Sequence, residues 1–119
     1  MRRSQRIAGF NPIEDSQLHF QDKLVSLRYA RRGQLSNLAK IINRVLICLN
    51  AGEIQNALAL QETMLAAYMK FRSTNTEYMS IEIDPRKIRE CEESEQRESN
   101  RVSEVELSLI HISEPTRPY

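Results

Sequence analysis

Six arginines in the first third of the chain are the residues whose type and spacing most readily suggest chemistry. An arginine side chain neutralises phosphate charge without needing a fold around it, so a basic segment can contact nucleic acid. These residues are Arg2, Arg3, Arg6, Arg28, Arg31 and Arg32. They predict nucleic-acid contacts in the basic N-terminal half. The alternative is that residues 1–14 are simply a flexible, solvated basic arm.

The patterns that signal catalysis are missing from the sequence. It contains no Gly-rich phosphate loop, no His-Glu-x-x-His motif and no nucleophile elbow. A lone histidine such as His19 is typical of a surface or packing residue. The acidic residues Glu92, Glu93 and Glu95 are typical of a solvated helix face rather than of a general acid–base pair. We therefore predict no enzymatic activity, no catalytic residue, and no bound metal, cofactor or small molecule.

The two cysteines, Cys48 and Cys91, belong to no Cys-x-x-Cys or Cys/His pattern. We interpret them as reduced thiols in a cytoplasmic or nuclear protein. No apolar run is long enough to span a bilayer, and the start of the chain lacks the apolar segment of a secretory signal. A mitochondrial transit peptide is the alternative for the N-terminus, although Pro12 and Glu14 interrupt it early.

Length and composition favour one small all-α domain. The chain has 119 residues, of which 40% are hydrophobic and 28% charged, with a net charge of +1. Only three Gly and four Pro occur, which favours long helices over many short strands. Positive charge predominates in the N-terminal half and negative charge after residue 53, a gradient typical of helices that pair with one another.

An antiparallel helical hairpin is the predicted centre of the fold. Its helices cover about 34–50 and 53–79, joined at Gly52, which suits the left-handed position after a helix. A preceding helix, 16–31, begins at an Asp15 or Ser16 cap and breaks weakly at Arg31-Arg32-Gly33. Apolar residues at spacings of three and four form the predicted interaction face. These are Leu35, Leu38, Ile42, Val45, Leu49, Ala57, Leu60, Met64 and Phe71.

An acidic third helix is predicted for about 85–106. Asp84 followed by Pro85 is a typical helix start, since Asp caps the first turn and Pro tolerates its first position. Glu95 and Glu98 interrupt the apolar stripe of this helix, so we expect it to be marginal alone. The hairpin (15–83) and this charged helix (84–106) would together make up the folded part.

The last residues have an unusual origin in our interpretation. Residues 107–117 match, codon for codon, the translation of a transposase-adapter oligonucleotide used in sequencing libraries. We therefore expect 107–119 to be adapter-derived and the chain to be a fragment whose natural sequence ends near Glu106. In that case His111 and the turn at 114–116 carry no functional meaning.

Four short segments, taken in order, resemble the gag-like N-terminal helical region of long-terminal-repeat retrotransposon polyproteins of the Pao type. The segments are RGQLSNLAKIIN (32–43), QNALALQ (55–61), YMKF (68–71) and the Glu77-Tyr78 pair that precedes the acidic helix. The resemblance implies a helical assembly or packaging segment upstream of the catalytic regions of such a polyprotein. The zinc-knuckle cysteines that some gag proteins use for RNA are missing.

The sequence thus favours a non-enzymatic helical protein-interaction module that self-associates or binds a partner helix. Two alternatives stay open on the residues: a nucleic-acid-binding module, and an unassigned coiled-coil adaptor. A third, an amphipathic helix lying on a membrane surface, would use residues 16–32, where Leu24, Leu27 and Tyr29 stand among basic residues. We expect no membrane-spanning segment.

Overall fold

The computed structural model describes residues 12–113, and the side-chain surroundings of residues 20–112. Three helices follow one another along the chain: α1 (Pro12–Asn50), α2 (Ile54–Ile81) and α3 (Pro85–Ser113). Strands are not found in this part of the chain. The all-α prediction is therefore confirmed. Arg2, Arg3, Arg6 and the turn predicted at 114–116 lie outside the described residues.

The first helix is longer than the sequence suggested. It runs for 39 residues without interruption, so the break predicted at Arg31-Arg32-Gly33 is wrong. It also begins at Pro12, ahead of the caps predicted at Asp15 or Ser16. A glycine inside a helix costs only about 1 kcal/mol relative to alanine, and burial of Leu38 and Ile42 on the same helix stabilises by more than that.

The turn between α1 and α2 follows the predicted form. Gly52 has a φ of 77°, the left-handed conformation that glycine adopts without strain. The backbone N–H of Gly52 donates to the carbonyl of Leu49 at 3.1 Å, and that of Glu53 donates to Cys48 at 2.8 Å. These bonds satisfy carbonyls at the end of α1, and the short turn makes α2 antiparallel to α1.

The third helix returns alongside the hairpin and completes a three-helix core. α1 and α2 make the closest packing, while α3 lies mainly against α2 and touches α1 less. Val102, Val105 and Leu109 of α3 are buried in the same cluster as Leu38 and Val45 of α1. Helix α3 continues to Ser113, past the limit predicted at residue 106, because its apolar stripe continues through Leu109.

The predicted interaction face lies mostly inside this core. Six of its nine residues are buried: Leu38, Ile42, Val45, Ala57, Met64 and Phe71. The other three, Leu35, Leu49 and Leu60, are partly buried. The stripes of α1 and α2 therefore pair within the chain and are covered by α3, which leaves these residues little surface for a partner.

The molecule is elongated. Its Cα radius of gyration is 21.2 Å, against the roughly 13–14 Å expected of a compact domain of this length. Helix α1 is about 58 Å long and α2 about 42 Å at the α-helical rise per residue. Because the two join at Gly52 and Lys23 pairs with Glu77 near the end of α2, at 3.3 Å, the extra length of α1 lies at its N-terminal end.

The two described glycines should respond oppositely to alanine. No atom lies within 4 Å of a Cβ added at either position. Gly33→Ala should raise the free energy of unfolding by about 0.5–1 kcal/mol, since Gly33 is helical and alanine restricts the unfolded chain more. Gly52→Ala should lower it by about 1–2 kcal/mol because of the left-handed backbone. Urea denaturation of both variants checks this, and a change of the same sign in both would contradict it.

Candidate functional site

The connection between α2 and α3 is organised by a buried carboxylate, Glu82, which is 8% exposed. The Tyr78 hydroxyl donates to its Oε1 atom. The backbone N–H groups of Ile83 and Asp84 donate to its Oε2 atom at 3.1 and 3.2 Å. Asp84 in turn accepts from the backbone N–H of Arg86 at 3.0 Å, which confirms the predicted cap. The first turn of α3 is thus tied to the last turn of α2.

Arg28 joins this group from α1. The neighbouring Tyr78 hydroxyl raises the pKa of Arg28, and the charge of Glu82 adds to this against the opposing effect of burial. Burial, and then the bond to Glu82, raise the pKa of Tyr78, against the opposing effect of Arg28. Burial alone would raise the pKa of Glu82, but its hydrogen bonds from Tyr78, Asp84 and Ile83 together hold it below the ordinary value. At neutral pH the group is a charged arginine, a neutral tyrosine and a carboxylate.

A second set of polar contacts crosses the interior, one to two helical turns away. Asn75 of α2 is fully buried. Its Oδ1 atom accepts from Arg31 Nε of α1. Its Nδ2 atom donates to the Cys91 carbonyl at 3.0 Å and to Glu95 Oε1 at 3.1 Å, both on α3. We call Arg31, Asn75, Glu95 and the Cys91 carbonyl the polar layer, because it links all three helices.

Neighbouring side chains hold the polar layer in place. The Arg31 guanidinium lies 5.8 Å from the centre of the Phe71 ring, within range of a cation–π interaction. Arg72 Nε lies 3.6 Å from the second carboxylate oxygen of Glu95. Arg31 therefore contacts Phe71 as well as Asn75, and Glu95 contacts Arg72 as well as Asn75. The buried side-chain amide of Asn75 has hydrogen-bond partners for both its oxygen and its nitrogen.

Next to the polar layer, side chains from all three helices line a cleft of about 270 Å³. Four are cationic and one is acidic. The lining residues are Arg28, Arg31 and Arg32 of α1, Tyr78 of α2, and Lys87, Glu90 and Cys91 of α3. We call this the basic cleft. Among the described residues, the ion pairs join Lys23 to Glu77, Arg72 to Glu95 and Arg101 to Glu98, and none of them engages a cation of the cleft.

Three of the six arginines predicted to contact nucleic acid thus come together here. Lys87 was not among the predicted residues, and its only sequence signal is its place in the first turn of a helix that begins at Asp84-Pro85. The buried Asn75 was missed as well. Its signal is positional: Asn75 lies four residues after Phe71 and three before Tyr78, both buried, so it occupies the inner stripe of α2.

The two cysteines and the acidic residues of α3 differ in their surroundings. Both cysteines are free, and burial raises the pKa of the Cys91 thiol, which is therefore protonated at neutral pH. Glu92 and Glu93 are exposed, whereas Glu95 belongs to the polar layer. Among the side chains described, those of residues 20–112, His, Cys, Asp and Glu form no group of three that would hold a metal ion.

Comparison with protein-family models, with curated proteins and with solved structures finds no match to this chain. The arguments about its function therefore rest on its own residues. Within the described part, none of the three helices is long and apolar enough to cross a membrane. Leu24 and Leu27, which the membrane-surface alternative needs, are half-buried in the bundle.

The buried carboxylate gives the fold a pH dependence. Because the pKa of Glu82 is lower in the folded chain, its stabilising contribution is full above its unfolded pKa, about 4.3, and is lost as the pH falls through the folded value. Glu82→Gln should cost about 1 kcal/mol of unfolding free energy at pH 7. Thermal melts should show this cost shrinking from about pH 5 downward.

The exposed residue Glu93 offers a matched control for that experiment, since it carries the same side chain on the surface of α3. Glu93→Gln should leave the melting temperature nearly unchanged across the same pH range. A cost of Glu82→Gln that is the same at pH 3 as at pH 7 would show that the charge of Glu82 does not stabilise the connection.

Proposed function

We propose that the chain is a non-enzymatic helical protein-interaction module that self-associates through the N-terminal part of α1. The observation that carries this proposal is the exposure of large apolar side chains there. Phe20 is 39% exposed, Val25 44% and Tyr29 67%. Val25 and Tyr29 are four residues apart and so share one exposed face of α1, whereas Phe20 lies on another face. Each apolar side chain removed from water stabilises an interface by about 25 cal/mol per Å² buried.

A second copy of the chain is the partner we favour. In an isologous dimer each copy presents the same patch to the other, so one cluster of exposed residues is enough to form a closed contact. The residues first predicted as the interaction face offer little surface to a partner, because the core of the chain already buries most of them. Self-association therefore has to use residues outside that face.

Self-association can be tested by analytical ultracentrifugation of the full chain over a wide concentration range. We expect a concentration-dependent dimer, and we expect the double change Val25→Glu and Tyr29→Glu to weaken it at least tenfold. Met69→Glu is the control, since Met69 is 55% exposed on α2, away from this part of α1. A strict monomer at every concentration, or equal weakening by the control, would contradict the proposal.

The gag-like origin also remains our proposal. An elongated all-α bundle is compatible with the helical assembly segment that the resemblance implies. The informative observation is the genomic sequence that follows the codon for Glu106. An aspartic-protease or polymerase motif there would support the proposal, and continued coiled-coil sequence would favour an unassigned adaptor.

Nucleic-acid binding is a second candidate, and the basic cleft favours it, because Arg28, Arg31 and Arg32 line one concave surface. Binding of this kind depends on released counterions, so the affinity should fall steeply as salt rises. Fluorescence anisotropy with a labelled single-stranded RNA at 50 and 200 mM salt tests it. Salt-insensitive binding, or no binding at the lower salt, would remove this candidate.

A further inference from the structure

We propose that the basic cleft is a binding site for a small phosphate-bearing anion with two or more negative charges, such as inorganic diphosphate. This goes beyond the self-association proposed above and does not depend on it. The first argument is charge. Arg28, Arg31, Arg32 and Lys87 give the lining four positive charges and Glu90 gives one negative charge, a sum of +3. None of the ion pairs among the described residues involves these cations, and the one carboxylate outside the lining that acts on Arg28 and Lys87 is the buried Glu82.

The second argument is that one of the arginines of the cleft, Arg31, is already held in place. Arg31 donates through Nε to the buried Asn75 and lies over the Phe71 ring, which leaves its terminal nitrogens as further donors. Arg28 lies beside the Tyr78 hydroxyl, which raises the pKa of the guanidinium. Side chains fixed before binding lose less conformational entropy when a ligand arrives. Guanidinium groups also match the paired oxygens of a phosphate.

The third argument is shape. Helices α1, α2 and α3 all contribute to the lining, so the cleft is concave, and its volume of about 270 Å³ suits a small ligand. Tyr78 and Cys91 form part of the lining, and burial raises the pKa of each, so both are uncharged at neutral pH as these residues ordinarily are. The guanidinium and ammonium groups would bind the phosphate oxygens through charge-assisted hydrogen bonds, which are stronger than neutral ones.

The surface beyond the cleft favours a small anion over a polynucleotide. Past Glu90, α3 carries the exposed carboxylates Glu92 and Glu93, followed by Glu95. An extended polyanion running along α3 would meet these negative charges, whereas a diphosphate stays within the lining. Charge complementarity of this kind selects against the wrong partner as much as it attracts the right one.

Isothermal titration calorimetry of the full chain with sodium diphosphate tests the proposal. We expect saturable binding of one diphosphate per chain at low ionic strength. Arg32→Ala and Lys87→Ala should each weaken it about tenfold or more. Both residues are exposed, so the variants should fold normally, which circular dichroism checks. Arg44→Ala and Lys70→Ala remove equally exposed cations outside the cleft and should change the affinity less than twofold.

Nuclear magnetic resonance locates the ligand independently. The side-chain Nε–H signals of Arg28, Arg31 and Arg32 should shift on titration with diphosphate, and that of Arg44 should not. The proposal is overturned if diphosphate gives no saturable binding, or if all four alanine variants weaken it equally. Tight binding of a single-stranded RNA that saturating diphosphate does not displace would also overturn it, in favour of a polynucleotide.

Discussion

Replacing Phe71 by alanine is expected to lower the free energy of unfolding by about 3–5 kcal/mol, the largest effect of any single change considered for this chain. Phe71 is fully buried on the inner stripe of α2. The change removes its apolar surface and leaves a cavity that the long helices can only partly fill. It also deprives the Arg31 guanidinium of the ring beside it. Chemical denaturation followed by circular dichroism measures the loss.

Met69 provides the control for this experiment. It lies two residues before Phe71 on the same helix but is 55% exposed. Met69→Ala should change the free energy of unfolding by no more than about 0.5 kcal/mol, because little apolar surface is removed from a buried position. A loss below about 1 kcal/mol for Phe71→Ala would mean that the inner stripe of α2 is not the core of the folded chain.

Asn75→Ala is expected to cost about 2–3 kcal/mol. The change leaves Arg31 Nε and Glu95 Oε1 without their buried partner, and a polar group stranded in this way loses its hydrogen bond without regaining water. Part of the loss is a cavity at a fully buried position. The measurement is again the free energy of unfolding. Asn43→Ala, at an exposed site on α1, should stay within about 0.5 kcal/mol of the unchanged chain.

A double-mutant cycle separates the polar layer from simple loss of packing. If Asn75 and Glu95 act through their hydrogen bond, Asn75→Ala and Glu95→Ala should be non-additive by about 0.5–3 kcal/mol. Additive effects would mean that the two side chains stabilise the fold independently. A coupled pair would support the hypothesis that the layer sets how the three helices align, as a single buried asparagine does in coiled coils.

Much of the helical architecture can be predicted from residue spacing. Ala57, Met64, Phe71 and Tyr78 recur every seven residues, and all four are buried on α2. A stripe of this kind is visible in the sequence because apolar side chains on one helix face must find a common interior. Gly52 could be predicted for a similar reason, since few other residues adopt its left-handed backbone without strain.

The continuous first helix could not be predicted, because local preference and packing oppose each other at Gly33. The glycine weakens a helix locally. Contacts made by Arg31 with Asn75, 44 residues away, favour its continuation. The residues next to Gly33 in the sequence show the low helix propensity, but they do not show the contact between Arg31 and Asn75. Tertiary packing commonly overrides a difference of about 1 kcal/mol in helix propensity.

Only the α1 side of the basic cleft could be predicted from the sequence. The three arginines of α1 stand out by type and clustering, but Lys87 joins them because α3 runs back beside α1. The role of Glu82 is similar. In the sequence, Glu82 is an isolated acidic residue between two isoleucines and does not indicate a structural role. It accepts hydrogen bonds from the backbone of Ile83 and Asp84 only because α2 ends just before α3 begins. Sites built from several helices depend on topology, which residue spacing alone does not contain.

Helix α3 packs less closely against its neighbours than α1 and α2 pack against each other. We therefore expect α3 to detach while α1 and α2 stay together. α3 touches α1 little, and the buried residues of its inner stripe include the polar side chain of Glu98. Its backbone amides should therefore exchange hydrogen for deuterium through an opening that leaves α1 and α2 joined. The face exposed by that opening fits an α3 helix from any copy of the chain. Opening in two molecules at once would let each accept the third helix of the other, which is the exchange that produces a domain-swapped dimer.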